Sequence, residues 1–224
     1  MRRRLQDYGL GLFFGLLFLL ALVGQAVAGV AEFNQQQQAH GGASLSLLQY
    51  VASADFAVDV AENWQSEYPQ FLLYIVATVW LVHRGSPESK ELDKAGRGSD
   101  EDQLLGAHRR PDSPSWARAG GWRTKVFSHS LPLVMGLIFL LSWLAQSVAG
   151  WSTYNEQQLS QYQPTVSWLG YLATPDFWSR TLQNWQSEFL AVGSMVVLSV
   201  YLRERGSPES KPVGAAHDDT GATG

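Results

Sequence analysis

The sequence predicts an all-α membrane protein, with four transmembrane helices laid out as two tandem, parallel-repeat helical hairpins. Three observations predict it. The apolar residues are bunched into four blocks, and the chain aligns with itself without a gap at a shift of 121 residues. With those blocks as spans, 15 of the 16 Lys and Arg fall on one side. Composition agrees: 46% of the 224 residues are hydrophobic and 16% are charged, against roughly 25% charged in an average soluble domain.

The first block, Leu10 to Val30, has 21 residues, and Gln25 is its one side chain that is neither apolar nor Gly. Leu131 to Trp151 is another 21, broken by Ser142, Gln146 and Ser147. A bilayer core about 30 Å thick needs ~20 helical residues, so both can span. Phe71–Val82 and Phe189–Leu202 have only 12 and 14 residues, a length that also suits a buried helix or a re-entrant segment. Extended back to Trp64 and Trp185 they reach 19 and 18 and span, at the cost of bringing Glu67 and Glu188 close to the membrane. Pro69 lies near the start of the first extended block. It is tolerable in a first turn and kinks a helix deeper in. Leu190 takes its place in the second.

The self-alignment places Gln25-Ala-Val-Ala-Gly29 on Gln146-Ser-Val-Ala-Gly150 and Asn63-Trp-Gln-Ser-Glu67 on Asn184-Trp-Gln-Ser-Glu188. It also places Gly85-Ser-Pro-Glu-Ser-Lys90 on Gly206-Ser-Pro-Glu-Ser-Lys211. Positions 5–90 against 126–211 give 35 identities in 86. The expected organisation is a first hairpin repeat over 1–90, a flexible cytoplasmic linker over 91–125, a second repeat over 126–211 and a disordered tail over 212–224. Arg2, Arg3 and Arg4, the apolar run and Ala26-Val-Ala28 look like a signal peptide. The matching internal segment cannot act as one, so an uncleaved anchor is expected. Two spans per copy give both copies the same orientation.

Arg180 is the one basic residue in the two hairpin loops; the N-terminus, the central segment and the tail hold the rest. The positive-inside rule then makes both termini cytoplasmic. Trp64, Trp151 and Trp185 fall at the outer boundary, and Trp80 and Trp122 near the inner one, as membrane-interface anchors would. Gly85 with Pro87, and Gly206 with Pro208, read as helix C-terminal stops, each just after a cation.

The outer loops are not featureless. Leu45–Val51 and Val166–Leu172 suit short interfacial helices. Thr174-Pro175-Asp176 reads as a helix start, with a capping hydroxyl, Pro at the first helical position and an acid in the first turn. On the inner side, Ser115 to Lys125 combines Trp116 and Trp122 with three basic residues. It suits either a segment resting on anionic headgroups or a solvated linker.

The polar residues that need explaining are Gln25, Asn63, Glu67, Gln146, Asn184 and Glu188. Asn and Glu four apart share a helical face, and about 1.5 Å per residue puts Glu67 and Glu188 at the outer edge of the apolar layer. The expectation is that Gln25 meets Glu67 or Asn63, and that Gln146 meets Glu188 or Asn184. The cluster reads as a hydrogen-bonded latch between helices or as a proton or cation site. Enzyme signatures are absent: no phosphate-cradling Gly loop, no nucleophile elbow and no His-Glu-x-x-His. Without Cys there is no thiol chemistry or disulfide framework. The five His (His40, His83, His108, His129 and His217) are scattered and suggest no metal site. A net charge of −4 gives no argument for nucleic acid.

The three duplicated motifs resemble a family of small bacterial membrane proteins defined only by a domain of unknown function. The resemblance covers nearly the whole chain. It implies a bacterial inner-membrane location and supplies no activity, so no catalytic residue carries over. The expectation is therefore a multi-pass protein with no cofactor and a non-enzymatic structural or accessory role. Its partners are the lipid bilayer and further copies of itself or another membrane protein. A small ion, proton or solute carrier using Glu67 and Glu188 is the alternative, and a lipid- or envelope-modifying enzyme a weaker one.

Overall fold

A computed structural model describes residues 7–39 and 41–222. Arg2, Arg3, Arg4 and His40 lie outside the described residues. Among the described residues the protein is all-α and has no strand. The long helices are α1 (Gly9–Ala39) and, after the five-residue α2 (Leu47–Val51), α3 (Ala54–Trp80). Two short helices, α4 (Ser115–Ala119) and α5 (Gly121–Phe127), lead into α6 (Ser130–Ser160). The five-residue α7 (Trp168–Leu172) and the long α8 (Pro175–Tyr201) complete the fold. The bounds of α6, α7 and α8 are those of α1, α2 and α3 advanced by 121. Among the described residues, only α1 and α6, each 31 residues, are long and apolar enough by composition to cross a membrane.

Local chemistry explains the ends. Both α1 and α6 run about nine residues past their apolar blocks, through Gln-rich sequence that is a good helix former. Helix α8 begins as its sequence dictates: the Thr174 hydroxyl accepts the Phe177 N–H (3.3 Å), with Pro175 at the first position and Asp176 in the first turn. Ser46 caps α2 in a capping box with Gln49. Helix α3 starts ten residues before Trp64, so Pro69 lies deep inside it rather than in its first turn. The missing N–H of Pro69 leaves the Gln65 carbonyl without its helical partner.

The expected helix stops are corrected. Helices α3 and α8 end at Trp80 and Tyr201, five residues before Gly85 and Gly206. Those glycines do adopt left-handed φ values of +85° and +83°, but they shape a turn beyond the helix. Pro87 and Pro208 follow in the same turns. The carbonyls at the end of α8 are instead met by the Arg203 guanidinium, which donates to Ser199, Val200 and Leu202 (3.2, 3.0 and 2.8 Å). The two turns are built alike. The Ser89 hydroxyl accepts the His83 N–H (2.9 Å) and donates to the Lys90 carbonyl, and Ser210 does the same for Glu204 (3.0 Å) and Lys211.

Residues 212–222 also depart from the disorder expected of them. The buried Lys211 ammonium donates to the carbonyls of Ala216, His217 and Asp219 (3.0, 2.9 and 3.1 Å), and a buried cation must be satisfied in this way. The tail folds back to do it.

The chain divides into two compact units, Met1–Ala61 with Ala145–Tyr171 and Glu62–Leu144 with Leu172–Gly224. Each draws on both halves of the sequence. The first holds an apolar cluster of Ala26, Tyr50 and Phe56, flanked by Leu22, Val30, Phe33, Leu45 and Val60. The second holds a chain of aromatic contacts through Phe139, Trp143, Phe177, Trp178, Trp185 and Phe189.

Candidate functional site

In the first unit, two matched devices fix the loops. The Asn34 amide pairs with Leu45 in both directions, donating to its carbonyl (2.8 Å) and accepting its N–H (2.7 Å). Asn155 treats Val166 identically (3.0 and 2.9 Å), and Trp151 Nε1 adds a third bond to that carbonyl (2.7 Å). A carboxamide thus replaces a missing backbone partner, which an irregular loop needs. The buried Tyr50 and Tyr171 rings lie against Gly29 and Gly150. A Cβ on Gly29 would overlap the Tyr50 hydroxyl and stand 2.9 Å from Cζ; on Gly150 it would stand 2.5 Å from the Tyr171 hydroxyl and 3.2 Å from Cζ. Glycine is required at both positions for close approach, not for backbone freedom. Burial, and then the charges of Asp59, Asp55 and Glu32, hold the Tyr50 phenol above its ordinary value, so it stays neutral.

In the second unit, Arg180 is the central cation. Its Nη1 lies 2.9 Å from Glu62 Oε1 and its Nε 3.3 Å from Asp176 Oδ2. Burial opposes its charge, but the bond and charge of Glu62, and then Asp176, outweigh burial and raise its pKa. Nearby in sequence, Trp185 Nε1 donates to Oε1 of the fully buried Gln65 (2.8 Å), whose Nε2 has no partner among the described residues. Trp143 Nε1 reaches the buried Thr181 hydroxyl (3.4 Å).

The residues singled out by sequence are distributed unevenly. Gln25 is half-buried and Gln146 fully buried, both in the first unit. Asn63 and Glu67 are exposed, and Asn184 and Glu188 half-buried, in the second. Glu67 and Glu188 lie within reach of each other's charge. Asn184 donates back along its own helix to the Arg180 carbonyl (3.1 Å). Of the tryptophans, Trp151 and Trp185 spend their N–H inside the protein. Trp64 packs edge-on to Tyr68, Trp80 lies under Arg97 (6.0 Å), and Trp122 under Arg123 (5.7 Å).

Sequence reasoning passed over Gln65, Glu62, Thr181, Trp143 and the Tyr–Gly contacts. For Tyr50/Tyr171, Gly29/Gly150 and Asn34/Asn155 the signal was present, because each is identical in both halves. No such signal marks Glu62 or Trp143, whose counterparts are Gln183 and Leu22. Among the described residues, no three His, Cys, Asp or Glu are grouped to hold a metal.

No curated protein and no solved structure matches the chain. Residues 1–222 match DUF6766, a domain of unknown function, and the chain belongs to that family.

Proposed function

We propose that the protein is a four-span integral inner-membrane protein of tandem parallel hairpins, with both termini cytoplasmic and a non-enzymatic structural or accessory role. The observation that carries this reading is α6. It is internal to the chain, apolar over 18-residue windows and only 17% buried there. Leu133, Val134, Leu137, Leu140, Leu141, Leu144 and Val148 all stand exposed. A core helix of a soluble protein would bury them, and an internal helix is not a signal sequence. Exposure of that extent is stable when lipid tails are the solvent. Helix α1 repeats the pattern, with Ala26 its one buried residue.

Helices α3 and α8 are 27 residues each, about 40 Å long, and outreach a bilayer core even with their polar first turns outside it. The charge asymmetry and the 121-residue offset of the helix bounds support the paired hairpins. The polar residues support a structural role. Arg180, Glu62, Asp176, Gln65, Asn34 and Asn155 are committed to bonds that fix helices and loops. The carrier reading rests on the proximity of Glu67 and Glu188.

Reporter fusions test the topology. Fusions at Gly98 and at the C-terminus should report cytoplasm, and fusions at Gly42 and Gln161 the outside; the reverse at Gly98 overturns the four-span reading. Joint Glu67→Gln and Glu188→Gln substitution should leave proton and cation flux in proteoliposomes unchanged. Loss of a measurable flux would instead establish the carrier.

A further inference from the structure

We infer that residues 109–127 form a surface anchor for anionic lipid headgroups, seated on the cytoplasmic leaflet beside the start of α6. The inference rests on the membrane reading above. The segment is a small folded module. Gly120 and Gly121, at φ +72° and +60°, turn the chain between α4 and α5. The Thr124 hydroxyl ties α5 back to the carbonyls of Trp116 and Ala117 (2.9 and 3.2 Å). Arg109 and Arg118 brace it through the carbonyls of Arg118 and Pro111 (2.9 and 3.3 Å).

That brace leaves the apolar side chains outside. Trp116 and Trp122 meet edge to face at 5.8 Å, yet are 43% and 66% exposed, and Val126 and Phe127 are exposed with them. Large aromatic side chains with a polar N–H are suited to the headgroup layer, where one side is apolar and the other wet.

Charge selects the occupant. Residues 108–129 hold five Lys or Arg and one acid, a net +4, in a chain whose total is −4. None of the five makes an ion pair among the described residues. Among the described residues, Arg110, Arg123 and Lys125 carry no hydrogen bond from their charged groups either, although Asp100, Glu101 and Asp102 lie just upstream in the chain. Basic side chains without an acidic partner, beside exposed Trp, match a surface of phosphate headgroups over acyl chains.

Connectivity supplies the position. Ser128 and His129 alone separate α5 from α6, and both donate into the last turn of α5 (2.8 and 3.1 Å). Two residues reach at most about 7 Å, so α5 stays within about one Debye length of the leaflet into which α6 inserts.

The absence of native Cys permits a clean test. A nitroxide would be placed at Val126→Cys, on the face of Trp122 one turn on, in the full chain reconstituted into lipid nanodiscs. Its collision rate with a neutral aqueous nickel chelate would be compared with that of Gly98→Cys. In discs with about 30% phosphatidylglycerol the Val126 label should be roughly threefold less accessible than the Gly98 label. That protection should fade in phosphatidylcholine discs and in the Arg110→Gln/Arg123→Gln/Lys125→Gln variant. Equal accessibility of the two labels in anionic discs overturns the inference. So does protection that persists in phosphatidylcholine and in detergent, which would mean docking on protein. A third label at Leu140→Cys reports the membrane reading separately: if it collides freely with the aqueous chelate, the span fails, whatever Val126 shows.

Discussion

The bonds that recur in both halves of the molecule differ in kind from those found once. The Asn amide clamp, the Tyr ring against Gly and the Ser-closed turn each join residues of one half, and each appears again 121 positions later. The bonds that join one half to the other are single. Glu62 meets Arg180, whose counterpart is Asp59, and Gln65 meets Trp185, whose counterpart Trp64 packs on Tyr68 instead. Local devices need the same residues in each copy because they solve the same local problem. A contact between copies is under no such constraint in a single chain. One side can become a donor and the other an acceptor, where two identical chains about a two-fold axis would have to present the same patch.

The largest expected effect tests the matched devices. Tyr171→Ala and Tyr50→Ala should each destabilise the protein by about 3–5 kcal/mol, and by similar amounts, in thermal unfolding in detergent. The glycines sharpen the test. Gly150→Ala should be destabilising and partly rescued in a Tyr171→Phe background, because removing the hydroxyl leaves Cζ at 3.2 Å, a tight contact that a ring shift of a few tenths of an ångström relieves. Gly29→Ala should be rescued less well by Tyr50→Phe, because Cε1 and Cζ remain at 2.9 Å. Equal rescue would break the geometric account.

Next come the single contacts, where counterparts should behave differently. Arg180→Ala strands the Glu62 carboxylate, which is only 15% exposed, at a cost of about 2 kcal/mol. The change at the counterpart of Glu62, Gln183→Ala, alters an exposed residue and should stay within about 0.5 kcal/mol. Comparable losses from the two would erase the distinction between recurring and single bonds.

This asymmetry also explains what was legible in the sequence. The start of α8 could be read from Thr174-Pro175-Asp176, and the two short loop helices from Leu45–Val51 and Val166–Leu172, because capping and local apolar spacing act within a few residues. The long helices α1 and α6 were legible from their composition. The ends of α3 were not: Trp64 marks where apolarity begins, whereas the helix begins where Ser53 can cap it (3.4 Å to the Phe56 N–H). The candidate site was half legible. The Asn-Trp-Gln-Ser-Glu motif stood out because it is duplicated, and its first and last members drew attention for their polarity. The structure buries the Gln at its centre in one copy and exposes it in the other. Which copy buries it depends on contacts 120 residues away, and no spacing rule reaches that far.

Gln65 and Gln186 accordingly give the third comparison. Gln65→Ala removes the acceptor of the half-buried Trp185 N–H, for about 1 kcal/mol. Gln186→Ala should be close to neutral. The readout is again the unfolding midpoint, paired with Trp185→Phe. The Gln65 and Trp185 changes should be strongly non-additive if they remove one bond, and additivity would break the assignment.

The smallest effect concerns a place where counterparts themselves meet. Glu209 is hydrogen-bonded to Glu88, which also takes the Tyr74 hydroxyl. That bond, then the charge of Glu88 and some burial, hold the Glu209 carboxyl above its ordinary value. The folded protein therefore binds this proton more tightly than the unfolded chain does. The resulting stability is fully present below the unfolded Glu value near 4.3 and is lost as pH rises through the raised one. Lowering the pH from 7 towards 5 should raise the unfolding midpoint slightly. Glu209→Gln, which keeps a donor at every pH, should flatten that slope without lowering the midpoint at pH 7. Glu209→Ala should flatten it and lower stability at pH 5. If the slope survives both variants, it comes from another group, and the two matched turns do not share a proton.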